Sequence, residues 1–92
     1  GKMIFKRHPD VVRREIAGEV FLIPIKNKLA DMQNVFVLHG AGDFIWERLD
    51  GSNDAEHIAA LMVEEYDVGE KTAVSDVSEL VGELETAGLV IP

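Results

Sequence analysis

Gly40-Ala41-Gly42 stands between an apolar run and an amphipathic one, the order in which a dinucleotide-binding turn wraps a pyrophosphate. That chemistry needs G-x-G-x-x-G/A, so that helix and strand can approach closely, and then a second parallel strand. Here the third position is Ile45, a bulky residue, and the chain beyond it reads as helical. The segment is therefore a compact strand-to-helix corner. The only histidines are His8, His39 and His57, and none stands at H-x-x-x-H or H-E-x-x-H spacing. His39 reads as a hydrogen-bonding turn residue. Ser52, Thr72, Ser75 and Ser78 have neither an adjacent base nor a nucleophile elbow. The many carboxylates lack the apolar flanks that would raise a pKa for acid–base work. These residues support no catalysis, no metal and no cofactor. The chain reads as a binding protein.

Ninety-two residues hold one core, so the whole chain is expected to be one domain. With 47% hydrophobic and 28% charged residues it has the balance of a globular chain. No cysteine is present, which excludes disulfides and thiolate sites and suits a reducing cytoplasm. The longest apolar run, Val20 to Ile25, is far short of the ~20 residues of a membrane helix. The opening GKMIFKRHPD has no apolar signal-peptide region, and Gly1-Lys2 reads as a remnant ahead of a native Met3.

The net charge of −8 is unevenly spread. Residues 1–42 hold seven Lys/Arg and four Asp/Glu; residues 43–92 hold two and thirteen. Nucleic-acid binders carry Lys/Arg on the reading element to displace counterions. Here the helical half has the opposite sign, so nucleic acid is not an expected partner, and the short apolar runs leave no membrane partner expected either.

The elements that position these residues follow from periodicity. Residues 1–10 read as a polar, flexible lead-in. Val11–Ile16 alternates as a half-buried strand, and Ala17-Gly18 makes a two-residue hairpin turn. Glu19–Ile25 is apolar on both faces, as a central or covered strand is, with pairing expected to fade at Pro24. Residues 26–34 form a polar loop with room for a helical turn. Val35–Leu38 is a short third strand. A first helix spans about 43–49, with Ile45 and Leu49 on one face and Trp46 in the core, and Asp50-Gly51 ends it. A second helix starts near Asn53 or Asp54, with Ile58, Leu61, Met62 and Tyr66 as its stripe. A third runs from about Glu70 to Ala87, capped by Gly88, with Val74, Val77, Val81 and Leu84 as its stripe. Leu89-Val90-Ile91 should return to the core or add a short strand.

Two features point to a ligand. Small proteins blunt a free sheet edge with Lys, Pro or a bulge, and Val35-Phe36-Val37-Leu38 has none of these. Leu80, in line with Ala73 and Ala87, makes the third helix's apolar border wider than one packed face requires. Asp76 and Glu83 lie just beyond that border. Strand addition takes affinity from main-chain bonds to an open edge and specificity from side-chain pockets.

The segments FVLHGAGDFIWERLDG and DVSELVGELETAGLV, with Ile58 between them, resemble the PqqD family. The most specific pieces are Leu38, Ile45-Trp46, Leu49-Asp50-Gly51, Asp76-Val77, Leu80, Leu84 and Gly88-Leu89, within a resemblance spanning Arg13 to Val90. His39 departs from the Asn usual at this corner. That family comprises peptide chaperones of pyrroloquinoline quinone biosynthesis and recognition domains for leader segments of ribosomally made, modified peptides. The resemblance implies an α+β fold: a three-stranded antiparallel sheet, then three helices in a winged-helix-like arrangement. It implies a leader peptide added as a fourth strand between the third strand and third helix. It also implies a non-catalytic adaptor serving a radical S-adenosylmethionine or other modifying enzyme. The competing readings are a winged-helix transcription regulator, opposed by Asp76, Glu79, Glu83 and Glu85 against Lys71 on the last helix, and a structural module that pairs its free edge into a homodimer.

Overall fold

A computed structural model describes residues 3–92; Gly1 and Lys2 lie outside the described residues. In chain order the elements are β1 (Ile4–Arg7), β2 (Val11–Ile16), β3 (Glu19–Lys26), β4 (Leu29–Ala30), a 3-10 turn (Met32–Asn34), β5 (Phe36–Leu38), α1 (Gly42–Glu47), β6 (Asp50–Asp54), α2 (Ala55–Glu65), α3 (Glu70–Thr86) and β7 (Val90–Ile91). The fold is α+β, with antiparallel sheets and three helices.

The main sheet is built on β3. The β2–β3 hairpin turns at Ala17-Gly18, both at positive φ, which matches the right-handed strand twist. On its other edge β3 pairs β5 through Val20↔Leu38 to Leu22↔Phe36, and β4 through Ile25↔Ala30. Pro24 sits between these partners, so pairing breaks there on this edge but continues to Val11 on the β2 edge. The expected polar loop thus contains both a helical turn and the short β4. Leu22 and Leu38 point inward and are buried. Phe21, Ile23 and Ile25 stay half-buried on the outer face, shielded by cross-strand neighbours such as Val12 and Val37.

A second sheet, β6–β1–β7, takes in the short strand expected near residues 89–91 as β7, while its other two strands were not expected. The stretch expected to be a flexible lead-in contains β1, whose Phe5 is buried in the core. The segment Asp50–Asp54, expected only to end one helix and start the next, pairs with β1 as β6 across a register shift. Gly51, at φ 87, takes the left-handed conformation within that irregularity. β1 also ties down two helix ends. Arg7 donates from Nη1 to the Trp46 and Glu47 carbonyls at 3.0 and 2.6 Å, and its N–H donates to Leu49 at 2.9 Å. The His8 N–H donates to the Leu89 carbonyl at 2.9 Å.

The helices close the core over the inner face of the sheet. Ile45, Trp46 and Leu49 from the α1 segment, Ile58, Ala59 and Met62 from α2, and Ala73, Val77, Val81 and Leu84 from α3 are all buried. Asp54, one of the two expected starts of this helix, caps α2: its Oδ1 accepts the His57 N–H at 2.8 Å. α3 ends in a Schellman motif, Leu89 N–H to Leu84 carbonyl at 2.9 Å and Gly88 N–H to Glu85 carbonyl at 3.0 Å, with Gly88 at φ 75. Leu84 and Leu89 are both buried, the apolar contact that accompanies this cap. Among the described residues, no helix is long and apolar enough to cross a membrane.

Candidate functional site

The corner between β5 and α1 builds one wall of a surface groove. The His39 carbonyl accepts the Gly42 N–H at 2.8 Å, and Gly40 at φ 54 turns the chain. Gly42 is buried: a Cβ there would lie 3.3 Å from Leu38 and 3.6 Å from a Leu80 methyl. Absence of a side chain at Gly42 therefore lets the corner close onto α3. Asp43, one residue on, is clamped by Arg13 of β2, with Nε and Nη2 donating to Oδ1 and Oδ2 at 2.7 and 2.6 Å. The corner is held from both sides.

The groove runs between β5 and α3, with a volume of about 470 Å³. Its strand side is Phe36 and Val37, its end the corner from His39 to Gly42, its floor Ile45 and Leu80. Asp76, Glu79 and Glu83 form an acidic rail along the exposed edge of α3. β5 pairs with β3 on one side only, and no strand of the described residues lies on its other side.

Of the nine residues expected at a peptide site, Phe36, Val37, Asp76, Leu80 and Glu83 line this groove. Val35 immediately precedes β5 and is half-buried. Leu38 has its side chain in the core. Ala73 is fully buried and has no surface to offer. α3 packs against α2 with Ala73, Val77, Val81 and Leu84 buried, so its rotation turns Ala73 inward and leaves Val74 38% exposed. Ala87 caps α3 and lines a separate hollow with Asn34 and Pro24. The groove adds Glu79, Ile45 and the corner residues. Glu79 was available from spacing, since it lies three residues after Asp76 and four before Glu83 on one helix face.

His8, His39 and His57 gather no ligand set. His8 Nδ1 accepts the Asp10 N–H at 3.0 Å, and His39 is exposed on the corner. Among the described residues no group of three or more metal-donor side chains converges.

The sequence profile of Coenzyme PQQ synthesis protein D (PqqD) matches residues 19–90. This chain belongs to the PqqD family. The match takes in the whole groove, from β3 to the end of α3, and leaves out residues 1–18, which hold β1 and β2, and the last two residues. Two solved structures share the fold seen here. One is described as lasso peptide synthetase B1 complexed with the leader peptide, with TM-score 0.76, 20% identity, and 98% of this chain and 100% of that chain covered. The other is TbiB1 in complex with the TbiA(beta) leader peptide, with TM-score 0.71, 26% identity, and 92% and 93% covered. No curated protein matches the chain.

Proposed function

We propose that this PqqD-family chain is a non-catalytic adaptor. It binds the leader segment of a precursor peptide as an added strand on β5, against α3, and presents it to a maturation enzyme. The observation that carries this reading is the unpaired outer edge of β5 lying beside a groove walled by α3. An open edge supplies main-chain bonds to an extended peptide, and the groove supplies side-chain selection. The two fold neighbours hold leader peptides, which supports the same use here.

In this reading the sheet β2–β3–β5 takes the leader as its next strand, with the helices in a winged-helix-like arrangement. The backbone of Val35 to Leu38 gives the edge, Leu80 the apolar contact, and Asp76 and Glu83 the charge. Ala87 takes part from the neighbouring hollow at the far end of α3, outside the groove itself, and Ala73 serves the site only through packing beneath. The enzyme served is a radical S-adenosylmethionine protein or another peptide-modifying enzyme, in pyrroloquinoline quinone biosynthesis or a related peptide maturation, in the cytoplasm. Amide shift mapping with the cognate leader tests this. Shifts should follow β5, the corner and the exposed side of α3; shifts confined to α2 would rule the reading out. The same free edge could join two copies, so sedimentation with and without leader separates a homodimer from a peptide complex.

A further inference from the structure

The hydrogen bonding of β3 determines which residue of β5 faces an incoming strand. The Ile25 N–H donates to the Asp10 carbonyl at 2.7 Å, so the Ile25 backbone faces the β2 edge. In an antiparallel ladder a residue's N–H and C=O point to one side, and the side alternates along the strand. The β2–β3 register is uninterrupted from Val11↔Pro24 to Ile16↔Glu19. Ile23, Phe21 and Glu19 therefore also face β2, while Pro24, Leu22 and Val20 face the opposite edge. The Asp31 N–H donating to the Pro24 carbonyl at 2.7 Å, on that opposite edge, agrees. Because Leu22 pairs with Phe36 and Val20 with Leu38, those two β5 residues spend their backbone groups on β3. Val37 stands opposite Phe21, whose groups face away. Within β5, only Val37 turns both its N–H and its C=O outward.

We infer that Val37 is the backbone anchor of the peptide site and that it fixes the register of the bound strand. This rests on the peptide-groove reading above. In an antiparallel addition the leader residue paired with Val37 exchanges both main-chain bonds with it and shares the outer face of the sheet, and its two sequence neighbours face the groove. Those neighbours meet different chemistry, because α3 runs antiparallel to β5. At one end Leu80 meets Gly42 and Leu38. At the other, the hollow that Ala87 shares with Asn34 lies just ahead of β5. The neighbour beyond Leu38 thus lies over Leu80 and Ile45, and the neighbour beyond Phe36 lies toward Glu83. The site selects a strand with an aliphatic residue and a Lys or Arg two positions apart, separated by the residue that bonds Val37.

Selection of a displayed random heptapeptide library, on the wild-type chain and on Val37→Pro, tests this. Proline is tolerated where the N–H faces away from the ladder, so the variant keeps the β3–β5 pairs; its amide spectrum checks that. The wild type should enrich peptides with an aliphatic residue and a Lys or Arg at i, i+2. A synthetic copy of an enriched peptide should lose about tenfold in affinity on Val37→Pro. N-methylation of its middle residue should cost the same on wild-type protein, which decides the matter even where the variant misfolds, while N-methylation of either flanking residue should be tolerated. Glu83→Lys should shift the enrichment from cationic to acidic residues. Enriched peptides that shift β5 amides yet tolerate the middle N-methyl group would overturn the anchor and leave the groove reading standing. A selection that yields no peptide shifting β5 or α3 would overturn the groove reading itself.

Discussion

Arg13 and Asp43 form a two-pronged bridge between β2 and the first turn of α1, thirty residues apart in sequence, with donor–acceptor distances of 2.7 and 2.6 Å. Arg13 stands opposite Leu22 in the β2–β3 register, on the face of the sheet that the helices cover, and its partly exposed side chain reaches the corner from there. The Asp43 carboxylate is the main reason the guanidinium is held even more firmly in its charged form than usual; partial desolvation works against it, and Glu15 adds a weaker contact at 3.2 Å.

A lysine at position 13 keeps the charge but cannot make the parallel pair of bonds. Arg13→Lys should lower the melting temperature modestly and broaden the amide signals of residues 39–44, leaving secondary structure intact. Leader affinity should fall with it, since the corner forms the end of the groove. A melting curve and corner signals identical to wild type would show that the bridge holds nothing in place.

Leu80 and Leu84 sit one turn apart on α3 and should separate binding from stability. Leu84 is fully buried, so Leu84→Ala should cost about 2–5 kcal/mol of unfolding free energy. Leu80 is half-buried on the groove floor, so Leu80→Ala should cost less stability and more affinity. Urea melts and peptide titration of both variants make the comparison; equal losses in both assays for Leu80→Ala would remove it from the site.

Asp50 carries a pH dependence of known sign. Its Oδ1 accepts from the Ser52 hydroxyl at 2.7 Å and the Ser52 N–H at 3.0 Å, and these bonds hold its pKa below the ordinary aspartate range. A pKa depressed in the folded state means stability that is fully present above about pH 4 and lost as the pH falls through the folded value. Asp50→Asn should therefore be less stable than wild type at neutral pH, and the gap should narrow in acid. A gap that stays constant down to strongly acidic pH would assign the effect to something other than ionisation. Asp31, held low mainly by the Asn34 side chain at 2.8 Å and also by Lys26, contributes in the same direction.

The β3–β4 turn carries removable strain. Asn27 and Lys28 lie at φ 53 and 66, and a left-handed conformation costs a residue with a Cβ on the order of 1 kcal/mol. Glycine removes that penalty but adds unfolded-state entropy, leaving a net gain of roughly 0.5 kcal/mol for Lys28→Gly. Lys28→Val should destabilise, because a β-branched residue is excluded from that region. Thermal melts of the pair should move in opposite directions.

Local pattern was enough to locate the hairpin at Ala17-Gly18, the three helices, the Gly88 cap, the buried Trp46 and the unguarded β5, because each is written in residues close along the chain. Turn glycines and 3.6-residue spacing act over a few positions, so a sequence states them directly. The sheet β6–β1–β7 is of another kind. Asp50–Asp54 has the composition of a turn and becomes a strand only because β1, from the other end of the chain, lies beside it. The rotation of α3 is likewise tertiary. Spacing fixes which residues share a helix face, but only the close approach of α2 decides that Ala73 goes inward while Leu80 and the carboxylates of Asp76, Glu79 and Glu83 border the groove. An edge can be read from what a strand lacks; what stands opposite that edge depends on how distant segments pack, and no local pattern encodes it.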